Sequence, residues 1–279
     1  MGNYYYLMAG LPDLSLDDSK SAPSMLELKE HLKGQVPEAD KRLLYVFFLY
    51  YDCRNLVRLL ENPEAEIDPR GNFAQEQYQD LITSAREMNF NVHRFPSFMS
   101  VFARDYAYNK EISGYFPSDA MAMAYYEYAM AISNKMMARW YGLNFNVASI
   151  LTGLIARKNG WNVSEYVKGQ GEICDMIRHN NTRDFDLKNE VDYVGELMQI
   201  VECEDPVEKE KRIDAFKWAW LDEQTFFDPF SVEALFAYIV KVDMMERWAL
   251  LDAETGKETF RKIIDNLRSE ARVPDEFKK

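Results

Sequence analysis

The side chains in this sequence that could do chemistry are polar and charged groups placed inside apolar helical patterns. A buried carboxylate can serve as a general acid or base, but it more often serves the fold by hydrogen-bonding a neighbouring helix or its end. We treat seven such residues as structural or partner-contact candidates. They are Asp52, Asn55, Asn144, Asn146, Asp243, Glu246 and Arg247.

Glu246 lies on the apolar side of a helical pattern, seven residues after Ile239 and on the same side as Leu235 and Val242. A carboxylate on such a face persists only when it is paired. We expect its partner to be Arg247, another arginine or a helix N-terminus, with a cost on the order of 3–5 kcal/mol if the buried pair is broken. The alternative is a place on the wall of a cavity, facing a protein partner.

Local motifs for catalysis or metal binding do not emerge from the sequence. The "GKET" stretch at Gly256 has Leu251 and Glu258 where a phosphate-binding loop requires glycine and Ser or Thr. No histidine has a second one three or four residues away; the three are His31, His93 and His179. We therefore expect a non-catalytic protein with no cofactor and no metal. A catalytic site assembled only in three dimensions remains an alternative.

Composition narrows the class of partner. The chain has 279 residues, 46 acidic against 33 basic, and a formal net charge of −13. This charge argues against nucleic acid and anionic membrane surfaces as direct partners. The three cysteines, widely spaced and odd in number, fit reduced thiols in the cytoplasm, and we recognise no secretory signal.

The first predicted long helix contains the apolar run "LLYVFFLYY", which is too short to span a bilayer. It begins near Glu38, continues through Leu60 and is broken by the "ENPEAEIDPRGN" stretch at 61–72. One face of this helix is expected to be buried. It carries Leu44, Phe48, Tyr51 and Asn55.

A second long helix is predicted from about Asp119, with Ser118 or Asp119 as its cap. Its apolar stripe consists of Met121, Ala124, Tyr125, Tyr128, Ala131 and Ile132. We expect a pause near Gly142 and then another helix that ends at Gly160, after basic residues in its last turn. The apolar stripe of that helix consists of Val147, Ile150, Leu151 and Leu154.

The remaining stretches are also predicted as helices and turns. "GQG" at 169–171 suggests a turn, and the charged stretch 202–212 is a solvated connection or a helix start. Asp228-Pro229 indicates a turn before the last apolar helix. Because β-branched alternation is scarce, the predicted fold class is all-α.

Three segments share a loose pattern in which polar residues precede or interrupt an apolar helix. The first is "YYDCRNLVRLLEN" (50–62), with Asp52 and Asn55. The second is "WYGLNFNVASILTGLIARKNG" (140–160), with Asn144 and Asn146. The third, 237–267, contains Glu246.

In this order the segments resemble the three lobes of the C-type subunit of bacterial and archaeal V-type ATPases, which is known as the d-type subunit in eukaryotes. That family repeats an acidic residue, an asparagine three positions later, and an apolar stretch ending in a basic residue and glycine. The opening "NYYYLMAGLPDLSL" resembles that of a bacterial family of uncharacterised proteins often encoded among V-type ATPase genes. The chain departs from the pattern of the C-type family at Leu143 and Ala249, and at "LLDAETGKE".

The resemblance implies three pseudo-repeated helical lobes, at 1–90, 91–205 and 206–279, that form a funnel-shaped spacer. Such a spacer couples the central rotor stalk to the membrane proteolipid ring during ion-driven rotary ATP synthesis or hydrolysis, and catalyses nothing. Its partners would be the proteins of the stalk and the ring, and it would lie in the cytoplasm, peripheral to the membrane. The alternative from another class is a free-standing helical scaffold or adaptor.

Overall fold

In the computed structural model, the described residues are 4–16, 18, 23–87, 94–108 and 115–250. They form twelve α-helices and one short 3₁₀ turn, Leu187–Asn189, and contain no β-strand. The predicted all-α class is therefore confirmed. The helices are α1 (Tyr5–Gly10), α2 (Met25–Leu32), α3 (Glu38–Glu61), α4 (Gln75–Arg86), α5 (Ser97–Tyr108), α6 (Pro117–Met130), α7 (Lys135–Lys158), α8 (Val163–Tyr166), α9 (Glu172–His179), α10 (Val194–Glu202), α11 (Pro206–Thr225) and α12 (Val232–Leu250).

The described residues divide into two compact units. The first contains those up to Gln35 and those from Asp228 onward, so that α1, α2 and α12 belong to it. The second runs from Val36 to Phe227 and contains α3 to α11. The division into three lobes at 1–90, 91–205 and 206–279 stays a prediction.

Helix α3 follows the sequence prediction closely. It begins at Glu38, directly after Pro37, and carries Glu38 and Asp40 in its first turn and Arg58 in its last. These charges complement the partial charges of the helix ends. The face predicted to be buried is buried, from Leu44 through Asn55.

The predicted cap of α6 was wrong by two or three residues. Phe116 is the N-cap and Pro117 the first helical residue, so that Ser118 and Asp119 lie inside the first turn. Proline fits this position because its fixed φ suits the helix and its missing N–H would have had no partner there. The predicted stripe also extends too far, since Tyr128 is exposed and Ala131 follows the last helical residue.

The predicted pause near Gly142 was also wrong, because α7 passes through Gly142 without a break. The break comes earlier, at 131–134, and Asn134 caps α7 by accepting a hydrogen bond from the Met137 N–H at 3.1 Å. One glycine inside a helix costs about 1 kcal/mol, and buried neighbours such as Tyr141 outweigh that cost. The predicted end is confirmed, with Gly160 at φ +71° just after the helix.

Helix α9 packs closely against α7 at Gly153. A Cβ atom added there would lie 2.5 Å from Ile177 Cγ2 and 3.1 Å from the Phe185 ring. Nearby, the Arg157 guanidinium lies 3.8 Å from the centre of the Phe185 ring and donates to the Asn180 carbonyl at 2.8 Å. The end of α7 therefore holds the segment that follows α9.

The other turns and helix starts lie where the sequence predicted them. Residues 167–171 contain no helix, with Gly169 and Gly171 at positive φ. Helix α11 starts at Pro206 with Asp205 as its cap, which makes the charged stretch 202–212 a helix start. Helix α12 follows the Asp228-Pro229 turn. The "GKET" turn and His93 lie outside the described residues.

In the first unit, α12 packs against α2, and Leu235, Ile239 and Val242 are fully buried. Among the helices of the described residues, none is both long and apolar enough to cross a bilayer.

Gly153→Ala should lower the free energy of unfolding by about 1–3 kcal/mol, because the new methyl group would overlap Ile177 and Phe185. Gly142→Ala, in the same helix, is the matched control. A Cβ there meets only the Met130 sulfur at an ordinary 3.7 Å, so alanine should add up to about 1 kcal/mol. Urea unfolding measures both variants. Equal stability of the two would contradict the close α7–α9 packing.

Candidate functional site

Asp52 and Asn55 lie one turn apart on α3, and both side chains are completely buried. They face the segment between α3 and α4, residues 62–74, which is called the α3–α4 segment below. An ionised carboxylate is costly to bury unless hydrogen bonds replace its water. The contacts of these two side chains therefore decide what the site does.

The Asp52 carboxylate accepts four hydrogen bonds from the chain that follows α3. Its Oδ1 accepts from the backbone N–H groups of Asn72 at 2.7 Å and Phe73 at 3.2 Å, and from the Tyr78 hydroxyl at 2.5 Å. Its Oδ2 accepts from Asn72 Nδ2 at 2.7 Å. Asp52 thus joins one helix to the α3–α4 segment and to the first turn of α4.

Asn55 binds the backbone of the same segment through both ends of its amide. Its Oδ1 accepts from the Asp68 N–H at 2.7 Å, and its Nδ2 donates to the Asp68 carbonyl at 2.9 Å. The same Nδ2 also donates to the Tyr78 hydroxyl at 3.4 Å. Tyr78 therefore links Asn55 to Asp52. We call Asp52, Asn55, Asp68, Asn72 and Tyr78 the Asp52 cluster.

A second layer of contacts stiffens the α3–α4 segment itself. Arg70 forms a two-pronged ion pair with Asp68, at 2.9 Å from Nε to Oδ1 and 2.7 Å from Nη2 to Oδ2. Its guanidinium lies 4.4 Å from the centre of the Tyr51 ring. Burial alone would raise the pKa of Asp68. The hydrogen bonds and positive charge of Arg70 outweigh that effect, so the pKa lies below its ordinary value.

Gly71 is required by how closely the segment approaches α3. A Cβ atom at this position would lie 2.5 Å from Asp52 Oδ1 and 3.2 Å from both Asn55 Nδ2 and the Tyr78 hydroxyl oxygen. No real side chain tolerates the first of these distances. The glycine lets the backbone come near enough for the next two N–H groups to reach Asp52.

The electrostatics of the cluster follow from its burial. Burial raises the pKa of Asp52 above its ordinary value, and the hydrogen bonds from Tyr78, Asn72 and Phe73 lower it without cancelling that effect. Burial, and then the nearby Asp52 carboxylate, raise the pKa of the Tyr78 hydroxyl. Both side chains are fully buried, so the geometry suits a structural clamp better than proton exchange with a substrate.

The candidate residues of the second segment are not part of the Asp52 cluster. Asn144 donates to the carbonyl of Trp140 in its own helix at 2.8 Å. Asn146 is half-buried beside Tyr193. Burial raises the pKa of the Tyr193 hydroxyl, and the hydrogen bond with the Asn146 amide offsets part of that increase. Neither asparagine holds the chain in the manner of Asp52.

The third segment places its candidates in the first unit. Glu246 is half-buried and accepts a hydrogen bond from the Met25 N–H at 3.1 Å, at the first residue of α2. Ser24, the N-cap of that helix, makes no side-chain cap hydrogen bond. Glu246 therefore caps α2 from another helix, where a negative charge also suits the helix dipole.

The two other candidates in this helix are placed differently. Asp243 is half-buried on α12, and Arg247 is exposed, with its guanidinium 5.6 Å from the centre of the Trp248 ring. Among the seven candidates, Asp52 and Asn55 share a partner, the Tyr78 hydroxyl.

Sequence analysis missed the residues that complete the Asp52 cluster, namely Asp68, Asn72 and Tyr78, and the glycine between them. The signal for Asp68, Asn72 and the glycine was the "DPRGN" stretch, which was interpreted only as a helix breaker. A glycine and an asparagine soon after a helix that contains a buried carboxylate indicate a segment folded back onto it. Among the described residues, no group of three or more His, Cys, Asp or Glu side chains could hold a metal ion.

Asp52→Ala should lower the free energy of unfolding by about 3 kcal/mol, because four donors, from the buried Tyr78 and the half-buried Asn72 and Phe73, lose the acceptor that they share. Asp52→Asn should cost less, since its amide oxygen can take the place of Oδ1 and still accept the three hydrogen bonds made there. Asp80→Ala, at an exposed aspartate on α4, should stay within about 0.5 kcal/mol of the wild type. Urea unfolding gives all three values. A cost for Asp52→Ala as small as that for Asp80→Ala would exclude the clamp.

The pH dependence of stability tests the electrostatics of Asp52. Because its folded-state pKa is raised, the protonated form favours the folded state below the ordinary pKa of about 3.9. That contribution is lost as pH rises through the folded pKa. The stability of the wild type relative to Asp52→Asn should therefore fall as pH rises from about 4, and then level off. A relative stability that rises with pH would mean that the hydrogen bonds outweigh burial.

Glu246→Ala should lower the free energy of unfolding by about 0.5–2 kcal/mol, the range for loss of a helix cap. This is less than the cost expected for a fully buried pair, because Glu246 is half-buried. Glu246→Gln should fall between the wild type and alanine, since its oxygen can still accept from Met25 without the charge. Thermal melting distinguishes the three proteins, and unchanged melting of Glu246→Ala would show that the cap carries no stability.

Comparison with known proteins places the chain in one family. Residues 1–271 match the family described as "Protein of unknown function (DUF2764)". No curated protein and no solved structure matches the chain. The match spans nearly the whole sequence, and the chain therefore belongs to the DUF2764 family.

Proposed function

We propose that this protein is a non-catalytic component of a V-type ATPase or ATP synthase, similar to the C-type spacer of these complexes. In this role it joins the central rotor stalk to the proteolipid ring and passes torque during ion transport coupled to ATP hydrolysis or synthesis. It would work in the cytoplasm, at the inner face of the cell membrane, as a peripheral component without a cofactor.

The observation that carries the proposal is how the polar groups inside the long helices are used. Asp52 and Asn55 fix the α3–α4 segment, and Glu246 fixes the start of α2. Satisfied buried hydrogen bonds of this kind make local segments stiff. A part that transmits torque must resist local opening, because a segment that opens under load would absorb the rotation.

A likeness between the first two segments of the sequence pattern adds support. Helices α3 and α7 each contain 24 residues, and each is closely approached by a glycine further along the chain, Gly71 in the α3–α4 segment and Gly169 between α8 and α9. A Cβ added at Gly71 would lie 2.5 Å from Asp52, and one added at Gly169 would lie 2.5 Å from the Phe145 ring. Related lobes would be expected to repeat such a close approach.

The charge of the chain fits protein partners better than lipid. A net charge of −13 is unsuited to direct contact with an anionic membrane surface. It suits basic protein surfaces, such as the cytoplasmic loops of a ring protein or the helices of a stalk protein.

A tagged copy expressed in its native cell should co-purify with stalk and ring proteins from detergent-extracted membranes. Deleting the gene should release the soluble ATPase head from the membrane and reduce ATP-driven ion uptake. The purified protein should hydrolyse no ATP. A tag that brings down no ATPase component, with ion uptake unchanged by the deletion, would replace this proposal with the free-standing scaffold or adaptor.

A further inference from the structure

A groove of about 400 Å³ lies along α10, and all of its lining residues belong to the second unit. One wall is a single face of α10, since its residues are spaced three, four and seven positions apart: Gly195, Met198, Gln199 and Glu202. The other wall is part of the turn before α10 and consists of Arg183, Asp184 and Lys188. This volume lies within the range of pockets that bind small molecules. We call this feature the α10 groove.

The turn that forms the second wall is held in one shape by contacts of its own. Phe185 and Asp186 have φ angles of 57° and 62°, a backbone conformation that is unfavourable for residues other than glycine. The buried Phe185 ring lies against the Arg157 guanidinium, and the Asp184 carboxylate accepts from the Asp186 N–H at 3.2 Å. Because these contacts fix the wall before a ligand arrives, little entropy is lost in ordering it on binding.

Arg183 is the charged group of the α10 groove that lacks a counter-ion within the described part of the chain. Lys188 lies 3.6 Å from Asp184, and Glu202 lies 3.5 Å from Lys158. Arg183 is exposed and forms no such pair with the described residues. A guanidinium binds a carboxylate through two parallel hydrogen bonds. Since Asp184 and Glu202 lie in the same lining, they would repel a dianion more strongly than a monoanion.

The α10 wall offers apolar surface next to this charge. Met198 is half-buried, and a flexible thioether side chain adapts to ligands of different shapes. Gly195 has no side chain, and a Cβ atom added there would meet no atom of the surrounding structure within 4 Å. A ligand with its anionic end at Arg183 therefore has room to lay an apolar body along α10.

We propose that the α10 groove binds a small carboxylate, with one carboxylate group held by Arg183 and an apolar body against Met198. The exposed Gln199 beside Met198 can donate from its amide to the same ligand. A free carboxylic acid and the carboxyl terminus of a protein share this chemistry, and the experiment distinguishes them. The inference goes beyond the proposed ATPase role and does not depend on it.

Nuclear magnetic resonance of the purified full chain, isotopically labelled at the methionine methyl groups, tests the groove directly. The Met198 signal, assigned from its absence in Met198→Leu, reports occupancy. The probes are hexanoate, uncharged hexanol and the dianion hexyl phosphate. We expect hexanoate to shift the Met198 signal saturably, with a Kd at least about tenfold lower than that of either other probe, as the loss of a charged hydrogen bond or added repulsion predicts.

Substitutions then test each part of the groove. Arg183→Gln should raise the Kd for hexanoate at least about tenfold and remove its advantage over hexanol. Arg86→Gln, at an exposed arginine near the end of α4, is the matched control and should leave both unchanged. Gly195→Leu should weaken both probes by occupying the groove, and thermal melting should show that it stays folded, because its Cβ meets open space.

A second pair of probes identifies the source of the carboxylate. Acetyl-trileucine with a free carboxyl terminus is compared with the same peptide as its terminal amide. If the free peptide binds more tightly than both hexanoate and the amide, the ligand is a protein carboxyl terminus. If hexanoate binds at least as tightly as the free peptide, the ligand is a small carboxylic acid.

The failure of this inference is distinguishable from failure of the proposed function, because the assay uses the isolated protein. An unchanged Met198 signal with hexanoate and the free peptide would overturn the carboxylate site. So would tighter binding of hexyl phosphate than of hexanoate, or binding of hexanoate that persists in both Arg183→Gln and Gly195→Leu. None of these results bears on whether ATPase components co-purify with the chain.

Discussion

The second unit depends on one buried carboxylate. Asp52 lies at the middle of α3 without access to water, and its four hydrogen-bond donors all come from the α3–α4 segment and from Tyr78 in α4. A buried ion is tolerated only when such contacts are complete. The path of the segment, the glycine at position 71 and the location of Tyr78 all follow from that requirement. The carboxylate thus acts as a structural centre, and helix propensity alone would not specify this arrangement.

Burial decides how much each polar candidate contributes. Asp52 is fully buried and accepts hydrogen bonds from several donors, so its removal takes the acceptor from all of them at once. Glu246 is half-buried and accepts one capping hydrogen bond from α2. If Glu246 is removed, water can therefore replace part of that hydrogen bonding. Asn144 bonds only the backbone of its own helix among the contacts described above. Asp52, Glu246 and Asn144 occupy similar places in the sequence pattern, but they differ in their contribution to stability and in their structural role.

Local signals predicted much of the fold. The start of α3, the glycine after α7 and the start of α11 all follow from capping and dipole rules that act within a few residues. The predictions failed where packing overrides a local signal, as at Gly142, or where a proline takes the first helical position, as at Pro117. The hydrogen-bond partners of the candidate residues were harder to predict, because Asn72 is 20 residues from Asp52 and Met25 is 221 residues from Glu246. Periodicity identifies a polar residue on an apolar face, but it does not identify which distant donor that residue meets.

Amide hydrogen exchange of the α3–α4 segment tests the clamp most directly. In a segment without helix or strand, the N–H groups of Asn72 and Phe73 would ordinarily exchange quickly with solvent. If Asp52 holds them, they should exchange about as slowly as the core of α3, and in Asp52→Ala they should exchange much faster while the core of α7 stays protected. Fast exchange of both N–H groups in the wild-type protein would contradict the account, because it would show that the segment opens without disturbing the rest of the unit.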